Sequence, residues 1–263
     1  MSLAAPRIIT TLSVLSLTAA LGCSDRGGHE IVVEGNDAVN VSIPDTATDG
    51  WTIDFTRFVV VLHDPGLIER IDRKPAWVRE YGVTVWDVLS PNEDMGVLSR
   101  VIRASEFYDG VDFRIAPSSV SAYEPIAGNV DSDVVDEAVE RDYAIRVVGT
   151  ATGPMGESVG FDWEFTTDTR YRCDLGADDK VVIAADGSEV TVIEILGDML
   201  FAQDGGSLAF QPIADADADA DETVTIEELG DAGLLDGIEA LTRSIGSVRD
   251  APACDSFPGD ESE

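Results

Sequence analysis

The sequence predicts a mainly β protein, an antiparallel β-sandwich with a small helical segment near its C-terminal end. Three observations carry this. About ten short runs of β-branched and aromatic residues are punctuated by Gly, Pro, Asn and Asp. Helix-period stripes are few, the clearest lying at 131–140 and 234–245. The chain is 44% hydrophobic, enough to bury a core despite a net charge of −34 over 263 residues.

In chain order, Ile31 to Val33 and Val39 to Ile43 read as short strands, separated by Gly35-Asn36-Asp37 and stopped by Pro44. Trp51 to Phe58 alternates apolar and polar residues, the period of a half-buried strand, and runs into Val59 to Leu62. Tyr81 to Trp86, Val97 to Ile102 and Tyr108 to Ile115 follow, the last with Val111, Phe113 and Ile115 on one face. An excursion from Pro117 to Asp142 then holds a short amphipathic helix. Val134, Val135, Ala138 and Val139 are its apolar residues, with Asp131 or Ser132 as its cap. Tyr143 to Thr152 and Ser158 to Phe165 form the clearest hairpin, about Gly153-Pro154-Met155-Gly156. Lys180 to Ala184 and Val190 to Ile195 read as a second hairpin about Asp186-Gly187. Beyond Leu200 the pattern is helical. Ser207 to Ala216 is one expected helix, shortened by Pro212, and another begins at Ile226 and stops at Gly230. Leu234 to Ile245 is expected to pack on the sandwich.

Between those helices lies the most informative stretch, Asp215 to Glu228. Aspartates alternate with alanine, an apolar residue arrives at Val224, and a glutamate pair follows. A calcium loop presents oxygens from positions 1, 3, 5, 7, 9 and 12, the last a bidentate Glu. Numbered from Asp217, these positions fall on Asp217, Asp219, Asp221, the Thr223 carbonyl, Thr225 and Glu228. Numbering from Asp215 instead puts Ile226 at position 12, which cannot bind a cation. In the first register the segment resembles an EF-hand loop and implies one weak calcium site. It departs from the pattern at position 6, where Glu222 replaces the Gly of the sharp turn. The alternative reading is an acidic low-complexity linker.

At the other end, Arg7 precedes an apolar run from Ile8 to Leu21, the layout of a secretory signal and too short to span a bilayer. It ends in Ala20-Leu21-Gly22-Cys23. This resembles a bacterial lipobox, with Ala and Leu in exchanged order, and implies cleavage before Cys23 and lipid attachment to its sulfur. Otherwise Cys23 is an ordinary thiol. Ser24 next to a lipidated cysteine points to the outer membrane or cell surface rather than the inner membrane. With Cys23 lipidated, Cys173 and Cys254 remain as one expected disulfide in an oxidising compartment.

The negative charge argues against nucleic acid as a partner and favours divalent cations. The two histidines, His29 beside the tether and His63 at a strand end, are too few for a triad or zinc site. G-x-S-x-G, P-loop and G-x-G-x-x-G motifs are missing from the sequence. An enzyme is therefore not expected.

Trp86 to Leu89, Tyr108 to Ile115 and Phe161 to Phe165 resemble strands of the Ig-like or transthyretin-like sandwiches of exported bacterial lipoproteins. Together with the lipobox and acidic loop, the layout is similar to a myxobacterial-type surface lipoprotein. The resemblance implies a lipid-anchored cell-envelope protein. The expected divisions are a signal peptide at 1–22, a tether with the first short strands at 23–49, the sandwich at 50–203, the EF-hand-like loop and C-terminal helix at 204–250, and an acidic tail at 251–263. Its expected role is structural, or interaction with a cell-surface protein or glycan, without catalysis. Two alternatives stand beside this. An exposed aromatic platform at the sandwich edge would favour a calcium-dependent adhesive or carbohydrate-binding module. Two carboxylates facing one another in a deep cleft would favour a polysaccharide hydrolase.

Overall fold

The computed structural model describes residues 26–71, 74–79, 81–89, 97–104, 107–175, 181–182, 188–203, 207–249, 251 and 253–259. The signal-like run and Cys23 lie outside the described residues.

The chain is mainly β. In order it forms β1 (Arg26–Gly35), α1 (Asp37–Asn40), β2 (Thr52–Ile71), β3 (Lys74–Arg79), β4 (Val83–Asp87), β5 (Val97–Ala104), β6 (Phe107–Tyr108), β7 (Gly110–Ile115) and β8 (Pro125–Ala127). There follow α2 (Ser132–Arg141), β9 (Ile145–Thr152), β10 (Ser158–Phe165), β11 (Thr169–Asp174), β12 (Val181–Val182) and β13 (Ser188–Ile195). The chain continues with α3 (Gln211–Ala214), β14 (Thr223–Val224), α4 (Ile226–Asp231), α5 (Leu235–Leu241), β15 (Gly246–Val248) and β16 (Ala253–Pro258).

The spine is β2, longer than the alternating run predicts. Along one edge it pairs antiparallel first with β9, Thr52 opposite Thr152 through Val60 opposite Ile145. It then pairs with β7, Leu62 opposite Ile115 through Ile68 opposite Gly110. Val61 is the changeover: its amide donates to the Ala144 carbonyl and its carbonyl accepts from the Ala116 amide. The other edge takes β4 and then β3. Bulges between Phe55 and Arg57 and between His63 and Gly66 let one strand serve four partners. The resulting ten-stranded sheet runs β14-β10-β9-β2-β7-β11-β16, with β3, β4 and β8 beside it. A four-stranded sheet, β15-β13-β1-β5, supplies Ile31, Val33, Ile193, Ile195 and Val248 to the same apolar cluster as Phe58, Val60, Leu62, Phe113, Ile115 and Trp163. On the opposite face of β2, Val59 and Val61 pack with Val83 and Val85 under Val134, Val135 and Ala138 of α2. Burial on both faces explains the unbroken apolar run Val59 to Leu62.

Several expectations change. The pairing is mixed rather than wholly antiparallel, because β1 runs parallel to β13. The Val39 to Ile43 segment is a helical turn capped by the Asn36 side chain, followed by an isolated bridge from Ile43 to Ile53. Among the described residues of the expected second hairpin, β12 pairs with β6 and β13 with β1 and β15, all long-range pairs, while Lys180, Ile183, Ala184 and the turn at Asp186-Gly187 lie outside the described residues. Val139 is exposed on α2. Part of the expected acidic tail is β16, held to β11 by the disulfide Cys173–Cys254, whose two residues are direct cross-strand partners. The helical segment is no separate unit: Phe210, Ile213, Val224, Leu229, Ile238 and Ile245 are buried in the main core. None of the described helices is long and apolar enough to cross a bilayer.

Candidate metal loop

Two short helices flank the acidic loop. The first, α3, is a single turn, as Pro212 in its first turn anticipates. Both carboxylate oxygens of Asp49 accept from the amides of Phe210 and Gln211 at 2.9 Å, fixing the start of this turn. The second, α4, runs one residue past the expected stop to Asp231, with Gly230 inside it. It opens with a capping box: Thr225 Oγ1 accepts from the Glu228 amide at 3.2 Å, and Glu228 Oε2 accepts from the Thr225 amide at 2.9 Å.

Within the loop, carboxylate oxygens of Asp217, Asp219 and Asp221 come within 4.8 Å of one another. Side chains bend the backbone around them. Asp217 accepts from the amides of Asp221 and Glu222, Asp219 from that of Asp221, and Asp221 from that of Thr223. Two residues take left-handed conformations, Ala220 at φ +59° and Glu222 at φ +67°. Glu222 is the position at which the sequence departs from the calcium-loop pattern, yet the turn that Gly provides there is made. Each such residue costs about 1–2 kcal/mol against a right-handed conformation.

The loop gains support from the sheet. Thr223 and Val224 form β14, which pairs in parallel with Gly160 and Phe161 of β10. The Gly160 amide donates to the Glu222 carbonyl at 2.8 Å. Trp163 Nε1 donates to the Val224 carbonyl at 2.8 Å, and Val224 is fully buried, the apolar role expected at position 8. Glu228 closes the loop across its ends, its Oε1 accepting from the Ala218 amide at 3.1 Å. Hydrogen bonds from the Thr225 amide and hydroxyl hold its carboxyl below the usual range, with a further bond from Ala218. Of the six predicted ligand residues, the structure thus clusters Asp217, Asp219 and Asp221. It turns Thr225 and Glu228 toward each other and starts β14 at Thr223.

The histidines are structural. His63 lies within β2 rather than at a strand end, is buried, and donates from Nε2 to the Ala116 carbonyl at 2.9 Å. His29, expected beside a solvated tether, is buried on β1 with Nε2 2.8 Å from Thr191 Oγ1. Burial lowers the pKa of both, that of His29 to about 4.

A polar cleft of about 440 Å³ is lined by Thr166, Asp168, Glu239 and Arg243 among others. Two of its lining residues are carboxylates, and both oxygens of Asp168 are taken by Arg114, at 2.6 and 2.5 Å. Arg114 and Asp168 thus form a bidentate ion pair at the cleft wall. At the far edge of the large sheet, Tyr81 and Tyr123 stack with ring centroids 6.3 Å apart. Sequence reasoning missed this pair, as it missed Gly160 and Trp163 as the supports of the loop. Register across distant strands brings each of them into place, and no local pattern marks it.

No protein-family model matches the chain, and no curated protein does. Among solved structures it is similar to MbnP from Methylosinus trichosporium, with 12% identity and a TM-score of 0.37 over 87% of this chain and 99% of that one. A likeness of that size carries no functional assignment.

Proposed function

We propose that this is an exported, lipid-anchored protein that holds one calcium ion in the loop from Asp217 to Glu228 and acts in a structural or interaction role without catalysis. The observation that carries the reading is Glu222 at φ +67° beside three converging carboxylates. A charged linker has no need of a strained turn docked on a sheet edge, whereas a cation site needs its oxygens on a curled backbone. Asp217, Asp219, Asp221 and Glu228 are the charged donors, and hard oxygens suit calcium better than softer metals. The two facing sheets support a sandwich, with the parallel β1 and β13 pair a departure from Ig-like or transthyretin-like order. The anchor reading rests on the run ending in Gly22-Cys23.

Calorimetric titration with calcium tests the site. Saturable binding at about 10⁻⁴–10⁻³ M is expected, lost in Glu228→Ala. No saturable heat in that range, and no difference between the two proteins, would reduce the loop to an acidic linker. Detergent partitioning tests the anchor: Cys23→Ser moves the protein to the aqueous phase, and equal partitioning of both forms refutes lipidation.

A further inference from the structure

We infer that Tyr81 and Tyr123 form a stacking platform for the rings of a neutral glycan. β4 and β8 run parallel, with Val83 opposite Pro125 and Val85 opposite Ala127. Extending this register two residues back sets Tyr81 beside Tyr123. Their rings lie 6.3 Å apart with planes 25° from parallel, and the residues are 64% and 51% exposed. Ile126 of β8 is also exposed, as is Val120 at the end of the 3-10 turn that precedes β8.

The backbone under each ring is fixed. Asp64, held at φ +48°, accepts from the Gly82 amide through Oδ1 at 3.0 Å, and its own amide donates to the Gly82 carbonyl at 3.1 Å. The Tyr123 amide donates to Ser121 Oγ at 3.1 Å. Two large aromatic rings are thus held in water at fixed spacing, which lowers the ordering cost of binding. Flat, uncharged faces suit the C–H faces of pyranose rings, and the exposed Glu124 between Tyr123 and β8 offers an acceptor for hydroxyls. The net charge of −34 disfavours anionic polymers and a second copy of the chain.

β8 and β14 lie at opposite edges of the large sheet, so the platform is independent of the metal loop. The test is calorimetry of the full chain with cellohexaose, laminarihexaose, maltohexaose and chitohexaose, in chelator and at low and high salt. At least one binds, indifferent to chelator and to salt. Tyr81→Ala and Tyr123→Ala each weaken it about tenfold, while Tyr123→Phe retains it, with circular dichroism of all three variants unchanged. Binding to none of the four, or equal binding by the alanine variants, overturns the proposal. So does preferential binding of a trimethylammonium probe that high salt abolishes, which marks a cation site instead.

Discussion

The carbonyl of Glu222 accepts a hydrogen bond from the amide of Gly160, so the left-handed residue of the acidic loop is tied to the edge strand of the large sheet. The sheet edge thus gives the strained residue a fixed partner that needs no ion. Glu222→Gly removes a Cβ from a positive φ, a relief of about 1–2 kcal/mol. The greater freedom of Gly in the unfolded chain offsets about 0.5–1 kcal/mol of it. The expected outcome is a rise in melting temperature of about 2–4 °C, seen by calorimetry in chelator, with calcium affinity changed less than tenfold. A large gain in affinity without a gain in stability would show that the ion induces the turn.

Trp163 links the core to the loop through its bond to the Val224 carbonyl. Trp163→Phe keeps most of the apolar contact but leaves a buried carbonyl unpaired. It is expected to cost about 1–3 kcal/mol and to loosen the loop, read as faster amide exchange at Thr223 and Val224.

His29 gives a pH dependence of definite sign. Its folded pKa is lowered to about 4 by burial, below the ordinary 6.5. Between those values the unfolded chain binds the extra proton, so stability present above pH 6.5 is lost as pH falls toward 4. His63, lowered for the same reason, adds to the slope. Denaturant unfolding of wild type and His29→Asn from pH 7 to 4 isolates the effect, about 3 kcal/mol at most. Identical pH profiles of the two proteins would remove His29 as its source. Protonation of the many carboxylates relieves their repulsion and acts in the opposite direction in both proteins, so the difference between them is the relevant reading.

The disulfide closes a loop between residues 81 apart in sequence. Reduction, or replacement of Cys173 and Cys254 by Ala, is expected to cost about 3–5 kcal/mol in the chain-entropy treatment. Chemical denaturation with and without reductant measures it.

The sequence made the local pieces legible. Gly153 to Gly156 marks the hairpin of β9 and β10, and the stripe from Val134 to Ala138 marks α2. The Asp/Ala register marked the curled loop and the position of its turn, although Glu222 occupies it. Pairings across long stretches of chain were hidden. Nothing near Ile31 identifies Thr191 as its parallel partner, and nothing near Val224 identifies Phe161. Alternation alone also could not show that β2 has two buried faces, or that it changes partner at Val61. The misread turn after Gly35 has a local cause. Val39 and Val41 have strand propensity, but the Asn36 side chain accepts from the Val39 amide and starts a helical turn.

The covalent link at Cys254 also has a meaning for colloidal behaviour. Without β16, the outer backbone of β11 would stand open as a template for another chain. With it, the outermost strand ends in Pro258 and carries the exposed Asp255. Both discourage strand addition by a neighbouring molecule. In a reducing compartment only the strand pairing holds that guard in place, so the protection against edge-to-edge pairing weakens. Oxidative folding thus protects solubility as well as stability.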